Sequence, residues 1–196
     1  MKQIYFLISA FILFFVIESC SVDENGDLDL TEIETLTKIE VDDLKFSFWL
    51  SDMDDKRTNI FDEKDIKERG FIFNMSLTNN SDQNIFIGSG QIAPYLSDVF
   101  DMHSNYIGHS CAMHADILTI YKIQPGETHY EGSVWCGYDV NTFGAILLPA
   151  GKYYTNFNRN LTYRSGDNYD LFDDTKNTTT RKTIEIPSMF INFEVK

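Results

Sequence analysis

Phe71-Ile72-Phe73-Asn74-Met75-Ser76-Leu77-Thr78 is the stretch that decides the fold. Phe71, Phe73, Met75 and Leu77 alternate with Ile72, Asn74, Ser76 and Thr78, a period of two. Only a half-buried strand, whose side chains point alternately to opposite faces, explains that period well. The turn cluster Asn79-Asn80-Ser81-Asp82 ends the run. Upstream, Leu44, Phe46, Phe48 and Leu50 alternate with Lys45, Ser47 and Trp49; downstream, Tyr153, Thr155 and Phe157 alternate with Tyr154, Asn156 and Asn158. Near the C-terminus Met189, Ile191, Phe193 and Val195 alternate with Phe190, Asn192 and Glu194. Ile184 and Ile186 belong to the opposite phase, so a bulge or an edge position is expected at Pro187-Ser188. Asp116 to Ile123 is apolar on both faces and is expected as a central strand. No stretch sustains an apolar period of 3.6. Polar runs from Ser51 to Asp65 and from Arg164 to Arg181 are expected as long loops. Turn signals fall at Gly88-Ser89-Gly90, Pro125-Gly126, Pro149-Ala150-Gly151 and Ser165-Gly166-Asp167. Several short strands at such spacing predict an all-β chain, a two-sheet β-sandwich or a barrel.

The chain has 196 residues, 43% hydrophobic and 23% charged, which suits one folded domain plus a short extra. A net charge of −14 argues against nucleic-acid binding, because phosphate contacts need a clustered surplus of Lys and Arg. The acids are unevenly spread. Residues 21 to 43 hold nine of them (Asp23, Glu24, Asp27, Asp29, Glu32, Glu34, Glu40, Asp42, Asp43) against Lys38 alone, leaving −6 for residues 44 to 196. So acidic a block is normally extended and mobile, and residues 20–43 are expected as a tether.

The extra segment is at the front. Lys2 supplies a basic start, and Ile4 to Ile17 form an apolar run of fourteen positions broken only by Ser9. That length is short for a bilayer span and suits the core of a signal peptide. The run ends in Ile17-Glu18-Ser19-Cys20, which resembles the lipobox of bacterial lipoproteins, with Glu18 departing from the usual small or aliphatic residue. The resemblance implies a signal peptide over residues 1–19 and a diacylated Cys20 as the first mature residue. Ser21 and the acids behind it resemble sorting features of outer-membrane and surface-exported lipoproteins. The expected address is the cell envelope, on the periplasmic or the exposed face of the outer membrane.

The order of elements between residues 66 and 160 also carries a resemblance. An apolar strand runs into an Asn-Asn-Ser turn, then Ser89-Gly90-Gln91, then a strand over Tyr95 to Asp101 with a turn before Ile107-Gly108. Pro125-Gly126-Glu127, a strand with Trp135, and Pro149-Ala150-Gly151-Lys152-Tyr153 follow. This is similar to the immunoglobulin-like domain of the intracellular proteinase inhibitor (BsuPI) type. Two pieces depart from it: Asp101-Met102-His103-Ser104-Asn105 lacks the family's Gly, and His109-Ser110 replaces a Trp-Ser pair. The resemblance implies an immunoglobulin-like two-sheet sandwich over residues 44–196 and, as one alternative function, a proteinase-inhibitor-like module.

With Cys20 taken by lipid, Cys111 and Cys136 remain as an even pair in an oxidising compartment, expected to form a structural disulfide. Such a bridge is worth about 3 kcal/mol in the chain-entropy picture. All four histidines, His103, His109, His114 and His129, fall in one 27-residue window with Met102, Cys111 and Met113. Imidazole, thiolate and thioether together suit copper, and imidazole with thiolate suits zinc. A metal-binding alternative would use His109, Cys111 and His114, although in a strand residues 109, 111 and 113 share a face while 114 points away. Two acidic runs resemble EF-hand loops only partly. Lys56 and Arg57 fall at ligand and glycine positions of the run from Asp52, and Leu28 replaces the glycine in the run from Asp23. No catalytic motif of a known spacing is present, so a non-catalytic protein without cofactor is expected. The reading is a lipid-anchored envelope protein whose sandwich binds a protein or other macromolecule. Aromatic side chains are its natural contacts, among them Tyr153, Tyr154, Tyr163 and Tyr169.

Overall fold

The computed structural model describes residues 35–94, 97–111, 119–135, 138–139, 144–145 and 147–196. Its strands are β1 (Leu36–Val41), β2 (Leu44–Ser51), β3 (Ile60–Phe61), β4 (Phe71–Asn79), β5 (Ile85–Gly88), β6 (Asp98–Asp101) and β7 (Tyr106–His109). They continue with β8 (Ile120–Ile123), β9 (Thr128–Trp135), β10 (Tyr138–Asp139), β11 (Gly144–Ala145), β12 (Gly151–Gly166) and β13 (Thr179–Val195). Among the described residues one α-helix, α1 (Glu63–Arg69), precedes β4. The alternation along β4 does what a period of two requires. Phe71, Phe73, Met75 and Leu77 are fully buried, and β4 lies in the middle of a sheet of order β1-β2-β4-β9. The second sheet runs β3-β13-β12-β5-β8, with β6 also on β12 and β7 on β6. The two sheets make the all-β sandwich that the alternation predicts, and their inward faces meet in one core.

That core is rich in aromatics. Phe71 lies 4.7 Å from Phe61, 4.9 Å from Phe73, 5.4 Å from Phe193 and 6.0 Å from Trp135, ring centre to ring centre. Just before it, Gly70 has φ +79°, and a Cβ there would stand 2.2 Å from the Trp135 carbonyl oxygen. Glycine is therefore required where the helix hands over to the central strand. The expected irregularity at Pro187-Ser188 is a bulge. Phe157 pairs with Met189 and Arg159 with Ile186, so two residues of β13 oppose the single Asn158 of β12. The extra residue keeps Ile184 and Ile186 on the same buried face as Met189, Ile191, Phe193 and Val195. At Pro125-Gly126 the chain makes the expected tight turn, with Gly126 at φ +81° and the Glu127 N–H bonded to the Gln124 carbonyl at 3.0 Å.

Four expectations need correction. Residues 36–41, placed in the acidic tether, form the edge strand β1, paired from Leu36↔Trp49 to Val41↔Leu44. Its Ile39 and Val41 pack on the core while Lys38 and Glu40 are exposed, so the charges sit on the solvent face of a strand. The run from Ser51 to Asp65 is not a plain loop: it contains β3 and the start of α1. Asp62 caps that helix, accepting the Lys64 and Asp65 N–H groups, and only Ile66 is buried, so no apolar period announces it. Strands β12 and β13 each extend three residues into the second predicted loop, over 164–166 and 179–181, leaving 167–178 between them. Finally, β8 covers Ile120–Ile123 and among the described strands is the last of its sheet; residues 116–118 lie outside the described residues.

Candidate functional site

The residues singled out from the sequence separate in the structure. Cys20, His114 and Cys136 lie outside the described residues. Cys111 makes an isolated antiparallel bridge to Val134 of β9, its N–H bonding the Val134 carbonyl at 3.0 Å. His109 is buried at the end of β7, opposite Asp98 of β6, with Nδ1 2.7 Å from the Tyr106 hydroxyl. Burial raises the Asp98 pKa, and the facing His109 partly offsets this. His103 lies in the β6–β7 turn, where Asp101 accepts N–H bonds from His103 and Asn105 and is held below the usual carboxylate range, chiefly by Asn105. Among the described residues no group of three or more His, Cys, Asp or Glu side chains is placed to hold a metal. Of the four tyrosines, Tyr153 and Tyr163 belong to the core. Tyr154 stacks on Phe100 at 5.1 Å, and Tyr169 lies under the Arg164 guanidinium at 4.7 Å.

Strand β9 has an unusual inward face. Its pairing with β4 sets His129 opposite Leu77, Glu131 opposite Met75, Ser133 opposite Phe73 and Trp135 opposite Phe71. Polar side chains thus continue the rows that are apolar in β4. Glu131 accepts the Gly90 N–H at 3.2 Å and lies 3.2 Å from His129 Nε2, and the Tyr121 ring packs on His129 at 4.2 Å. Glu131 Oε2, Ser133 Oγ and Trp135 Nε1 are buried without a hydrogen-bond partner among the described residues.

The outward face of the same sheet gathers a different set. Register places Trp49 of β2 opposite Asn74 of β4, and Asn74 opposite Gly132 of β9; Ser76 pairs with Tyr130 one step along. Tyr130 is 65% exposed, and its ring makes an edge-to-face pair with Trp49 at 6.4 Å and 82°. Ser76, between these two columns, is buried although it faces outward. Arg57 is brought in by the antiparallel bridge Ser51↔Arg57, and its guanidinium lies over the Trp49 ring at 5.5 Å. Asn74 Nδ2 donates to Ser51 Oγ at 2.9 Å, which leaves Asn74 Oδ1 turned toward Gly132. Trp49 and Tyr130 could be noticed in the sequence only as aromatic residues. Their juxtaposition depends on strand register across three strands and on a loop that returns Arg57 to Trp49.

No family model matches the chain, and no curated protein matches it. Among solved structures it has a likeness to the CooA pilin subunit from enterotoxigenic Escherichia coli. The identity is 13%, the alignment covers 76% of this chain and 98% of that one, and the TM-score is 0.24, too low to carry an argument.

Around the sandwich other large apolar groups are exposed: Phe172 at 93% in the β12–β13 connection, Leu147 and Phe190 at 54%. Two described concavities hold about 150 and 160 Å³, lined mainly by polar and charged groups such as Asp52, Asp54, Arg69, Asp42, Asp82 and Lys182. Both are below the roughly 300 Å³ of a typical small-molecule pocket.

Proposed function

We propose that this chain is a lipid-anchored cell-envelope protein, non-catalytic, whose immunoglobulin-like sandwich binds a macromolecule through the outer face of the β1-β2-β4-β9 sheet. The observation that carries the binding half is the grouping of Trp49, Tyr130 and Arg57 on one face, since these three residue types dominate interface energetics. The anchor half rests on Ile17-Glu18-Ser19-Cys20 and the apolar run before it. Cys136 is the proposed partner of Cys111: with Cys20 acylated it is the remaining cysteine of the three in the chain. A bridge there removes the thiolate that the alternative copper or zinc site at His109, Cys111 and His114 would use.

Two measurements test the reading. Metabolic labelling with palmitate should mark the wild-type chain and leave Cys20→Ala unmarked; equal labelling removes the anchor. A photo-crosslinking residue at position 130 should give a saturable adduct in the envelope that the Trp49→Ala change abolishes. An adduct indifferent to Trp49 removes the binding face.

A further inference from the structure

We infer that the face formed by Trp49, Arg57, Asn74, Tyr130 and Gly132 is a saccharide site, and that the saccharide carries an anionic substituent. This deepens the binding-domain reading above and rests on it.

The argument begins with Gly132. It is the outward-facing residue of β9 between Tyr130 and Val134, and a Cβ there would find ordinary contacts at 3.5 Å or more, from Ile72, Phe73 and Asn74. Neither positive φ nor crowding requires glycine at this position. What its missing side chain does is leave a shelf beside the exposed Tyr130 ring; β9 pairs with β4 in unbroken register through Gly132, so the glycine marks no bulge, and the use left to it is to admit close approach of a ligand or another backbone. The C–H face of a pyranose ring is electropositive and flat, matching the negative face of an aromatic ring.

The floor of the shelf supplies acceptors. Asn74 Nδ2 is already committed to Ser51 Oγ and the Ile72 carbonyl, so its Oδ1, 3.7 Å from the Gly132 Cβ position, faces the shelf as an acceptor. Sugar hydroxyls are donors of the kind such an oxygen takes. The charge is supplied by Arg57. It is exposed, and among the described residues no carboxylate forms an ion pair with it, although the chain is strongly acidic. The guanidinium lies over Trp49, and its N–H groups suit a planar acceptor such as a carboxylate. An aromatic platform, a hydroxyl acceptor and an unpaired guanidinium on one sheet face describe an acidic sugar better than a peptide, whose own backbone would seek a sheet edge.

The test is a titration of the full-length chain in detergent micelles, followed by intrinsic fluorescence. The chain has two tryptophans, and Trp135 is 1% exposed, so a ligand-induced change reports on Trp49. The probes are trigalacturonate and 3′-sialyllactose, with galactotriose and lactose as neutral counterparts and hexaglutamate as an acidic peptide. The expected result is saturable quenching by at least one acidic saccharide, with its neutral counterpart at least tenfold weaker. Arg57→Gln should remove that preference, and Gly132→Gln, which fills the shelf where a Cβ is tolerated, should weaken the acidic sugar at least tenfold while the melting temperature stays within two or so degrees. Hexaglutamate binding as tightly as the sugars, or Gly132→Gln leaving sugar affinity unchanged, overturns the saccharide assignment. No response to any saccharide also overturns it. The crosslink at position 130 is read independently of every probe, so the wider binding reading stands or falls separately.

Discussion

The bulge in β13 yields a sharp expectation about deletions. Pro187 and Ser188 together oppose Asn158, and the sequence changes phase at that point. Deleting Pro187 removes the extra residue and the phase change at once. Ile184, Ile186, Met189, Ile191, Phe193 and Val195 then follow one another at every second position, and Ser188, already 3.4 Å from Asn158 Nδ2, becomes the single partner of Asn158. The expected cost is the local loss of twist, about 1 kcal/mol, comparable to a hydrogen bond. Deleting Asn192 is different. It lies in regular pairing with Tyr154, and its loss turns Phe193 and Val195 outward and Glu194 inward. Phe193 and Val195 are 0% and 1% exposed, and leaving two such side chains in water costs about 3–6 kcal/mol. Placing the Glu194 carboxylate among aromatic rings adds to this. Against a usual total stability of about 5–15 kcal/mol, the second deletion removes most or all of it. Urea unfolding followed by tryptophan fluorescence separates the two. With a slope of about 2 kcal/mol per molar, the midpoint should fall by about 0.5 M for the Pro187 deletion and by 2 M or more for the Asn192 deletion. Equal midpoints, or a Pro187 deletion that does not fold, would refute the account of how β13 keeps its register.

Two further outcomes follow from the same geometry. Ser104 has φ +63°, in the turn between β6 and β7. An L-residue pays about 1–2 kcal/mol there and glycine returns about 0.5–1 kcal/mol as unfolded-chain entropy, so Ser104→Gly should stabilise by about 0.5–1 kcal/mol and raise the melting temperature by about 2 °C. Asp54 is held below the usual carboxylate range by its hydrogen bonds to the Arg69 guanidinium, the shorter at 2.7 Å, and by that group's charge. A carboxylate depressed in this way stabilises above its unfolded pKa, and the contribution is lost as pH falls through the folded value. Arg69→Gln should therefore move the Asp54 titration, followed by carboxyl carbon NMR, up toward 3.8.

What the sequence made legible was whatever one periodicity could express. Strands β2 and β4 alternate cleanly, and β13 does so on either side of its bulge, because one face meets an apolar core and the other is turned away from it. Strand β1 alternates too, with Thr37, Ile39 and Val41 inward, but a count of acids hid it: Glu40, Asp42 and Asp43 mark a strand's solvent face and a tight turn, not a tether. Helix α1 was invisible for a different reason. Its stability comes from the Asp62 cap, the buried Ile66 and the Gly70 stop, features too local to raise a 3.6 period. Strand β9 misleads outright, since His129, Glu131 and Ser133 occupy inward positions where alternation predicts apolar residues. The candidate surface was illegible because the separation of Trp49 from Tyr130 is a property of pairing register, and the place of Arg57 is a property of a loop return.

The most direct test of the central claim is a competition experiment on bacterial envelope preparations, using fluorescently labelled full-length chain in detergent. Binding should saturate and be displaced by unlabelled wild-type chain, while the Trp49→Ala/Tyr130→Ala double variant, folded by its circular dichroism and melting temperature, should displace at least tenfold less well. Displacement by the double variant at wild-type concentrations would contradict the claim that this face of the sheet is where the protein binds.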